Sequence, residues 1–166
     1  MNCLLTGGNG FLCRHLVEYL ASYHLSVSTS TRNAVEKLRK GVATNFVVGA
    51  IDGETQWQEA VKDQEVVVHL ANRAHHPKED READLDRYRT VNVAGTINLA
   101  QQCIAAKVKR FIYMSSIQVN GNRTLHKPFR YDDPVNPESP YAISKMEAEE
   151  RLRHLCDQTD MELVII

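Results

Sequence analysis

Thr6-Gly7-Gly8-Asn9-Gly10-Phe11-Leu12-Cys13 is the stretch on which the reading of this chain turns. Ahead of it runs a short apolar stretch, Cys3-Leu4-Leu5, and behind it Leu12, Leu16 and Leu20 recur with Tyr19 and Tyr23 beside them. The first pattern suits a buried parallel strand, the second one face of a helix. A glycine-rich turn between strand and helix places backbone N–H groups and the positive helix end where a pyrophosphate can sit. Gly7 lets the chain turn sharply, and Gly10 lets the backbone approach phosphates without a Cβ in the way. Plain strand-to-helix turns also favour glycine, so the spacing alone leaves a nucleotide site and an ordinary turn both open.

Outward from this turn the pattern repeats. Leu25-Ser26-Val27-Ser28-Thr29-Ser30-Thr31 alternates and reads as a second strand, followed by a polar helix-like stretch over 34–40 and a third strand, Asn45-Phe46-Val47-Val48-Gly49. A short helix over 56–62 precedes the run Glu65-Val66-Val67-Val68-His69-Leu70-Ala71, a fourth strand. The segment 79–106 carries Leu85, Tyr88, Ile97, Ala100 and Ile104 at helical intervals, and Arg110-Phe111-Ile112-Tyr113-Met114-Ser115-Ser116 is a fifth strand. A proline-containing loop over 120–140, a helix over 140–158 and a sixth strand over 161–166 complete the chain. Strands alternating with helices imply right-handed βαβ units and hence an α/β fold, a doubly wound parallel sheet of order 3-2-1-4-5-6. Ligands in such sheets gather at the C-terminal strand ends, near the glycine turn, His69 to Arg73 and Ser115-Ser116.

Bulk properties fit one domain, residues 1–166, with a sizeable core. With 43% hydrophobic and 25% charged residues and a formal net charge of −1, the chain has no basic surplus to favour nucleic acid. No stretch approaches the length of a membrane span, and the N-terminal apolar run lacks the basic flank of a signal peptide. Cys3, Cys13, Cys103 and Cys156 are scattered without C-x-x-C spacing and read as reduced thiols of a cytoplasmic protein. His75, His76 and Pro77 lack further ligands at metal spacing, so no metal is expected, and Arg73 and His75 read as loop residues. His69 reads as a core residue or a support to the site.

Tyr141 and Lys145 lie four residues apart on an expected helix and so share a face. A phenol, with a pKa of about 10, is a poor base at neutral pH, and a nearby ammonium lowers that value. Such a phenol can exchange a proton with a hydroxyl or carbonyl while hydride moves on or off the adjacent carbon. A Y-x-x-x-K pair also arises by chance; its weight here comes from following a strand that ends in Ser-Ser, in a chain that opens with a dinucleotide turn.

Taken in order, Thr6 to Phe11, His69-Leu70-Ala71, Asn92-Val93-Ala94-Gly95-Thr96, Ser115-Ser116-Ile117-Gln118-Val119-Asn120-Gly121 and Ser139-Pro140-Tyr141-Ala142-Ile143-Ser144-Lys145 resemble the extended short-chain dehydrogenase/reductase family, in its nucleotide-sugar epimerase and dehydratase branch. The resemblance implies a Rossmann fold, a catalytic Ser116, Tyr141 and Lys145, and a structural Asn92. It places the cofactor against Gly7, Asn9, Gly10, Phe11, Leu12, Arg32, Ile51, Leu70, Ala71, Tyr141 and Lys145. It also implies a homodimer through two long helices, with Leu85, Tyr88, Ile104, Leu152 and Leu155 offering apolar surface. The Ser-Ser-Ile-Gln-Val-Asn-Gly stretch is similar to enzymes of bacterial surface-polysaccharide synthesis, which points to a UDP-sugar.

Four departures bear on these expectations. The family's third glycine is Cys13, whose side chain crowds the contact between helix and strand. The acidic residue after the third strand corresponds to Ala50. The second strand ends in Thr31-Arg32 with no carboxylate for a ribose 2′-hydroxyl, so NAD or NADP is expected with a lean to NADP; a solvated surface arginine is the other reading. The sequence stops at Ile166, before the Arg-Pro segment and substrate lobe of the family. Residues 1–166 are therefore expected to hold a cofactor half that is inactive as it stands, with a non-catalytic dinucleotide-binding module as the alternative.

Overall fold

Period-two alternation along the inner strands sorts their side chains onto two covered faces. The structure is a computed structural model describing residues 1–74, 84–124 and 127–166. In β1 (Asn2–Thr6) Leu4 joins one apolar cluster while Cys3 and Leu5 join the other, all three buried. Such double burial is why parallel inner strands read as uninterrupted apolar runs.

The remaining elements are α1 (Phe11–Ala21), β2 (Ser26–Thr31), β3 (Val42–Val47), α2 (Gln58–Val61), β4 (Val66–His69), α3 (Leu85–Tyr88), α4 (Thr96–Ala105), β5 (Arg110–Tyr113), α5 (Pro140–Cys156) and β6 (Glu162–Ile165). All sheet pairings are parallel, and the order is β3-β2-β1-β4-β5-β6, as the crossover rule requires. Cys13 and Val17 of α1 pack with Cys3, Leu5, Val27 and Val68. On the other face Trp57, Leu99, Cys103 and Leu152 close over Leu4, Val67 and Phe111. Each fully buried leucine contributes about 1.5–3 kcal/mol, so this two-sided burial dominates the local energetics. All four cysteines are free and buried. Among the described residues no helix is long and apolar enough to cross a membrane.

Between α3 and α4 the helix widens into a π-helical stretch, Arg89–Gly95. Asn92 lies in it. Its Oδ1 accepts from Arg73 N at 2.8 Å, and its Nδ2 donates to Arg73 O at 3.2 Å and Ser144 Oγ at 3.0 Å, tying this helix to the loop after β4 and to α5.

Several sequence expectations need correction. Residues 34–40 form no helix: only Val35 is even half-buried there, so no apolar stripe docks a helix on the sheet. The third strand starts earlier, at Val42, and ends at Val47, and Gly49 turns the chain with a φ of +75°. Ser115 and Ser116 lie beyond β5, leading into a short 3₁₀ turn, Ile117–Val119. Tyr88 and Leu152 are completely buried within the chain, which removes them from the expected partner surface; Leu85, Ile104 and Leu155 remain half-buried. His75, His76 and Pro77, with the start of the segment 79–106, lie outside the described residues.

Candidate functional site

Because the sheet is parallel, β1, β4 and β5 all deliver their last residues to one edge, and the site is assembled there. Gly7 takes a φ of +74°, and a Cβ on it would sit 3.1 Å from Ala71 N and 3.2 Å from Ala71 Cα. Both conformation and contact therefore call for glycine. Gly8 N donates to Ser30 O at 2.8 Å and Gly10 N to Gly7 O at 2.7 Å, folding the turn back on itself. Gly10 is the N-cap of α1, and no side chain caps that helix. The first-turn N–H groups and the positive helix end thus face a cavity of about 550 Å³ with backbone donors to offer.

Gly7, Asn9, Gly10, Phe11, Leu12, Arg32, Ile51, Leu70 and Ala71 all line this cavity, at the exits of β1, β2, β3 and β4, whereas Tyr141 and Lys145, also expected against the cofactor, lie outside its lining. Ser30, Thr31, Val48, Asn72 and Val91 line it too. Sequence reasoning missed these five, although Thr31 and Val48 flank strand ends where the alternation signal stops. Ala50 is exposed and lies outside the lining, and Cys13 is accommodated fully buried. A backbone-rich, glycine-floored cavity at an uncapped helix start fits a dinucleotide.

Tyr141, Lys145 and Ser116 are brought together by α5 and the β5 exit. Ser139 caps α5 by accepting from Ala142 N at 3.1 Å, and Pro140 takes the first helical position. Tyr141 follows at once, its ring edge-on to Tyr88 at 6.2 Å. Burial raises the Tyr141 pKa, while the Ser116 hydroxyl acts the other way. Ser116 also accepts from Gln118 N at 3.3 Å, which fixes its side chain as the cap of the 3₁₀ turn.

Lys145, one turn further along α5, is 1% exposed. Its Nζ donates to Met114 O at 2.7 Å and stands 4.5 Å above the Tyr113 ring. Burial pushes the ammonium down to about 8, and Glu149 opposes the shift. The expected lowering of the Tyr141 phenol by Lys145 is not what prevails here: desolvation is the larger effect, and the phenol stays protonated at neutral pH. Glu149, a further turn along, accepts from Ser115 Oγ and pairs with Arg153 at 3.0 Å. Neighbouring residues Met114 and Ser115 are thereby stitched to successive turns of one helix, a feature the sequence shows only as spacing. Arg73 covers the Tyr88 ring at 5.4 Å, in keeping with a structural loop role.

Residues 3–166 match the NAD dependent epimerase/dehydratase family. The UDP-glucose 4-epimerase of Vibrio cholerae is 46% identical over 166 residues, 98% of this chain and 49% of that protein. Human dTDP-D-glucose 4,6-dehydratase is 29% identical over 180 residues, 98% of this chain and 49% of that one. Among solved structures, a short-chain dehydrogenase/reductase superfamily protein from Agrobacterium tumefaciens with bound NAD has a TM-score of 0.82 at 31% identity, covering 99% of this chain and 48% of its own. A Thermotoga maritima UDP-glucose 4-epimerase with UDP-glucose gives 0.82 at 26% identity, covering 99% and 54%. The chain spans about half the length of each of these relatives. By this match, which covers nearly the whole chain, the chain belongs to the NAD dependent epimerase/dehydratase family.

Proposed function

We propose that residues 1–166 form the dinucleotide-binding and proton-transfer half of an enzyme that epimerises, dehydrates or reduces a nucleotide sugar, with a UDP-sugar as substrate. The observation that carries this reading is the glycine-floored cavity at the sheet edge where the β5 exit, bearing Ser116, is tied to the Tyr141–Lys145 helix through Lys145 Nζ and Met114 O. The nucleotide sugars named for several relatives support the substrate class. Tyr141 gives or takes the proton of a sugar oxygen, and Ser116 steadies that same oxygen. Lys145, one turn beyond Tyr141 on the same helix, holds the ribose. A nicotinamide dinucleotide, when bound, supplies or accepts the hydride.

NADP(H) is the finer reading of the cofactor. Arg32 lines the cavity, and Lys37 and Arg39 line a small cleft that shares Gly8, Asn9 and Thr31 with it. This clusters cations where a 2′-phosphate would lie. Buried reduced thiols support a cytoplasmic setting, and surface-polysaccharide synthesis is the pathway class we infer. Half-buried Leu85, Ile104 and Leu155 support a homodimer, which sedimentation at tens of micromolar tests; a monomer there counts against it.

Hydride transfer needs the reacting carbon held about 3–3.5 Å from its partner, an orientation that remote binding energy supplies. The relatives are about twice as long, and we assign the grip on the nucleotide diphosphate to a lobe that residues 1–166 do not contain. Residues 1–166 alone are therefore expected to bind the dinucleotide and turn over no nucleotide sugar. Extension with a relative's C-terminal lobe restores turnover, and Tyr141→Phe then abolishes it. Incubation with NAD(P) and a nucleotide-sugar panel is the test. Tyr141-dependent turnover by residues 1–166 alone would show that the lobe is dispensable; an extended protein that binds dinucleotide without turnover would favour the non-catalytic module.

A further inference from the structure

His69 is the last residue of β4, 1% exposed, and both its ring nitrogens are engaged. Thr6 Oγ1 accepts from Leu70 N at 3.1 Å and from Ala71 N at 3.0 Å, and lies 2.8 Å from His69 Nδ1. A hydroxyl has two acceptor positions and one hydrogen. Both acceptor positions are taken, so the Thr6 hydrogen points to Nδ1, and Nδ1 carries none. The neutral ring then bears its hydrogen on Nε2 and donates it to Thr96 Oγ1 at 3.0 Å. An imidazolium would set N–H against O–H at Thr6. Burial, with the Lys145 charge added, holds the ring neutral down to about pH 3. Tyr113, stacked at 6.1 Å, and Lys145 above it are the titratable groups that β5 and α5 turn toward this ring.

The two ends of this relay meet the two walls of the dinucleotide cavity. Through Thr6 it holds Leu70 and Ala71, and the Ala71 backbone is what leaves no room for a side chain on Gly7. Through Thr96 it holds the residue after Gly95, where a Cβ would come within 2.5 Å of Ile51 Cγ2. Leu70, Ala71 and Ile51 all line the cavity. We propose that His69 is a positioning residue which, as a neutral Nε2–H imidazole, sets the separation of the Leu70–Ala71 wall from the Ile51 wall and so the fit of the dinucleotide between them. The last clause rests on the dinucleotide reading above; the relay itself does not.

The amide of asparagine reproduces the Nδ1 position and that of glutamine the Nε2 position, so the two ends can be cut separately. Long-range ¹H–¹⁵N spectra of the wild-type chain should show His69 as the Nε2–H tautomer, unchanged from about pH 5 to 8. A Nδ1–H tautomer or a titrating ring overturns the proposal without any variant having to fold. His69→Asn should keep Leu70 and Ala71 amide exchange near wild type while shifting the Ile51 methyl signals. His69→Gln should do the reverse. Both variants disturbing both ends, or neither end, overturns it. NADH and NADPH titrations then read the consequence: His69→Phe, losing both ends, weakens binding about tenfold, and each single-ended variant by less. Wild-type affinity in His69→Phe overturns the positioning role. A wild-type chain that binds neither dinucleotide sinks the dinucleotide reading instead, and the spectra alone then decide the relay.

Discussion

Among the described residues, the two larger hollows at the strand ends are made of different material. The cavity of about 550 Å³ beside β1 and β2 is floored by glycines and backbone, with Gly7, Gly8 and Gly10 in its lining. The groove of about 870 Å³ beside β5 and β6 is lined by side chains that carry chemistry or charge, Ser116, Arg130, Asp133, Glu149 and Arg153 among them. The first is specified by what its residues lack and the second by what they bear. A change in the cavity floor should therefore act as an all-or-none event, whereas changes in the groove should be graded.

The largest expected effect tests that contrast at Gly7. Gly7→Val puts a branched side chain at a φ of +74° and against Ala71 backbone atoms at 3.1 and 3.2 Å, neither of which is a flexible end that can yield. Strain of this kind costs about 1–3 kcal/mol, and displacing the turn should lower dinucleotide affinity on the order of 100-fold. The exposed groove residue Arg130, changed to Ala, should leave that affinity within about twofold. Fluorescence titration with NADH and a thermal melt read both; equal losses would erase the distinction.

Lys145, buried on α5 one turn before the groove residue Glu149, sharpens the comparison from beneath the surface. Its folded pKa, about 8, lies below the unfolded value of about 10.4, so the folded chain binds fewer protons between those values. Stability therefore carries the full burden of the buried cation below pH 8 and rises with pH from about 8 to 10.4, by about 3 kcal/mol over the whole window. Lys145→Met removes this dependence. The difference in urea stability between wild type and variant should shift by about 1 kcal/mol in favour of wild type from pH 8 to 9. Cys3 and Cys13, held near 11 by burial, work in the opposite direction as pH rises through the unfolded thiol value, but equally in wild type and variant, so the difference cancels them. A flat difference would mean that the ammonium is solvated.

Arg32 tests the cavity's rim. Arg32→Ala should weaken NADPH binding about tenfold and leave NADH within about twofold, as loss of one charge-assisted contact to a 2′-phosphate predicts. Equal losses for the two cofactors would place Arg32 on some other part of the dinucleotide.

How much of this was legible beforehand follows the same division. Strand order, the glycine turn and the start of α5 depend on local signals: the unbroken apolar run Cys3-Leu4-Leu5, the positive φ of Gly7, and Ser139-Pro140 at a helix entrance. Such signals are written in neighbouring residues. The failures are non-local. Tyr88 and Leu152 carry the right spacing for an exposed stripe, yet burial depends on α3 and α5 meeting each other, which periodicity does not encode. Residues 34–40 have helix-forming composition, but their apolar pair Val35 and Leu38 stays half-buried and exposed, too little to dock a helix on the sheet. The His69 relay joins Thr6, His69 and Thr96 across residues far apart in the chain, and from sequence alone His69 is one more residue in an apolar strand.

The smallest expected effect is at Cys13, where the sequence departs from its family's glycine pattern. A side chain there crowds α1 against the sheet, but the structure seats the thiol completely buried among Cys3, Leu5, Val17, Val27 and Val68. Desolvation pushes that thiol up to about 11, with Arg39 acting the other way, so at neutral pH it is an uncharged, unreactive filler. Cys13→Gly removes buried volume and adds backbone freedom to a helix, which together should destabilise the protein by about 1–2 kcal/mol. The turn itself is held by Gly8 N to Ser30 O and Gly10 N to Gly7 O, none of which involves Cys13. Dinucleotide affinity should therefore stay within about twofold while the urea midpoint falls. Should affinity rise severalfold on restoring the glycine, α1 is being held away from the pyrophosphate by the cysteine, and the cavity floor is specified by volume as well as by backbone.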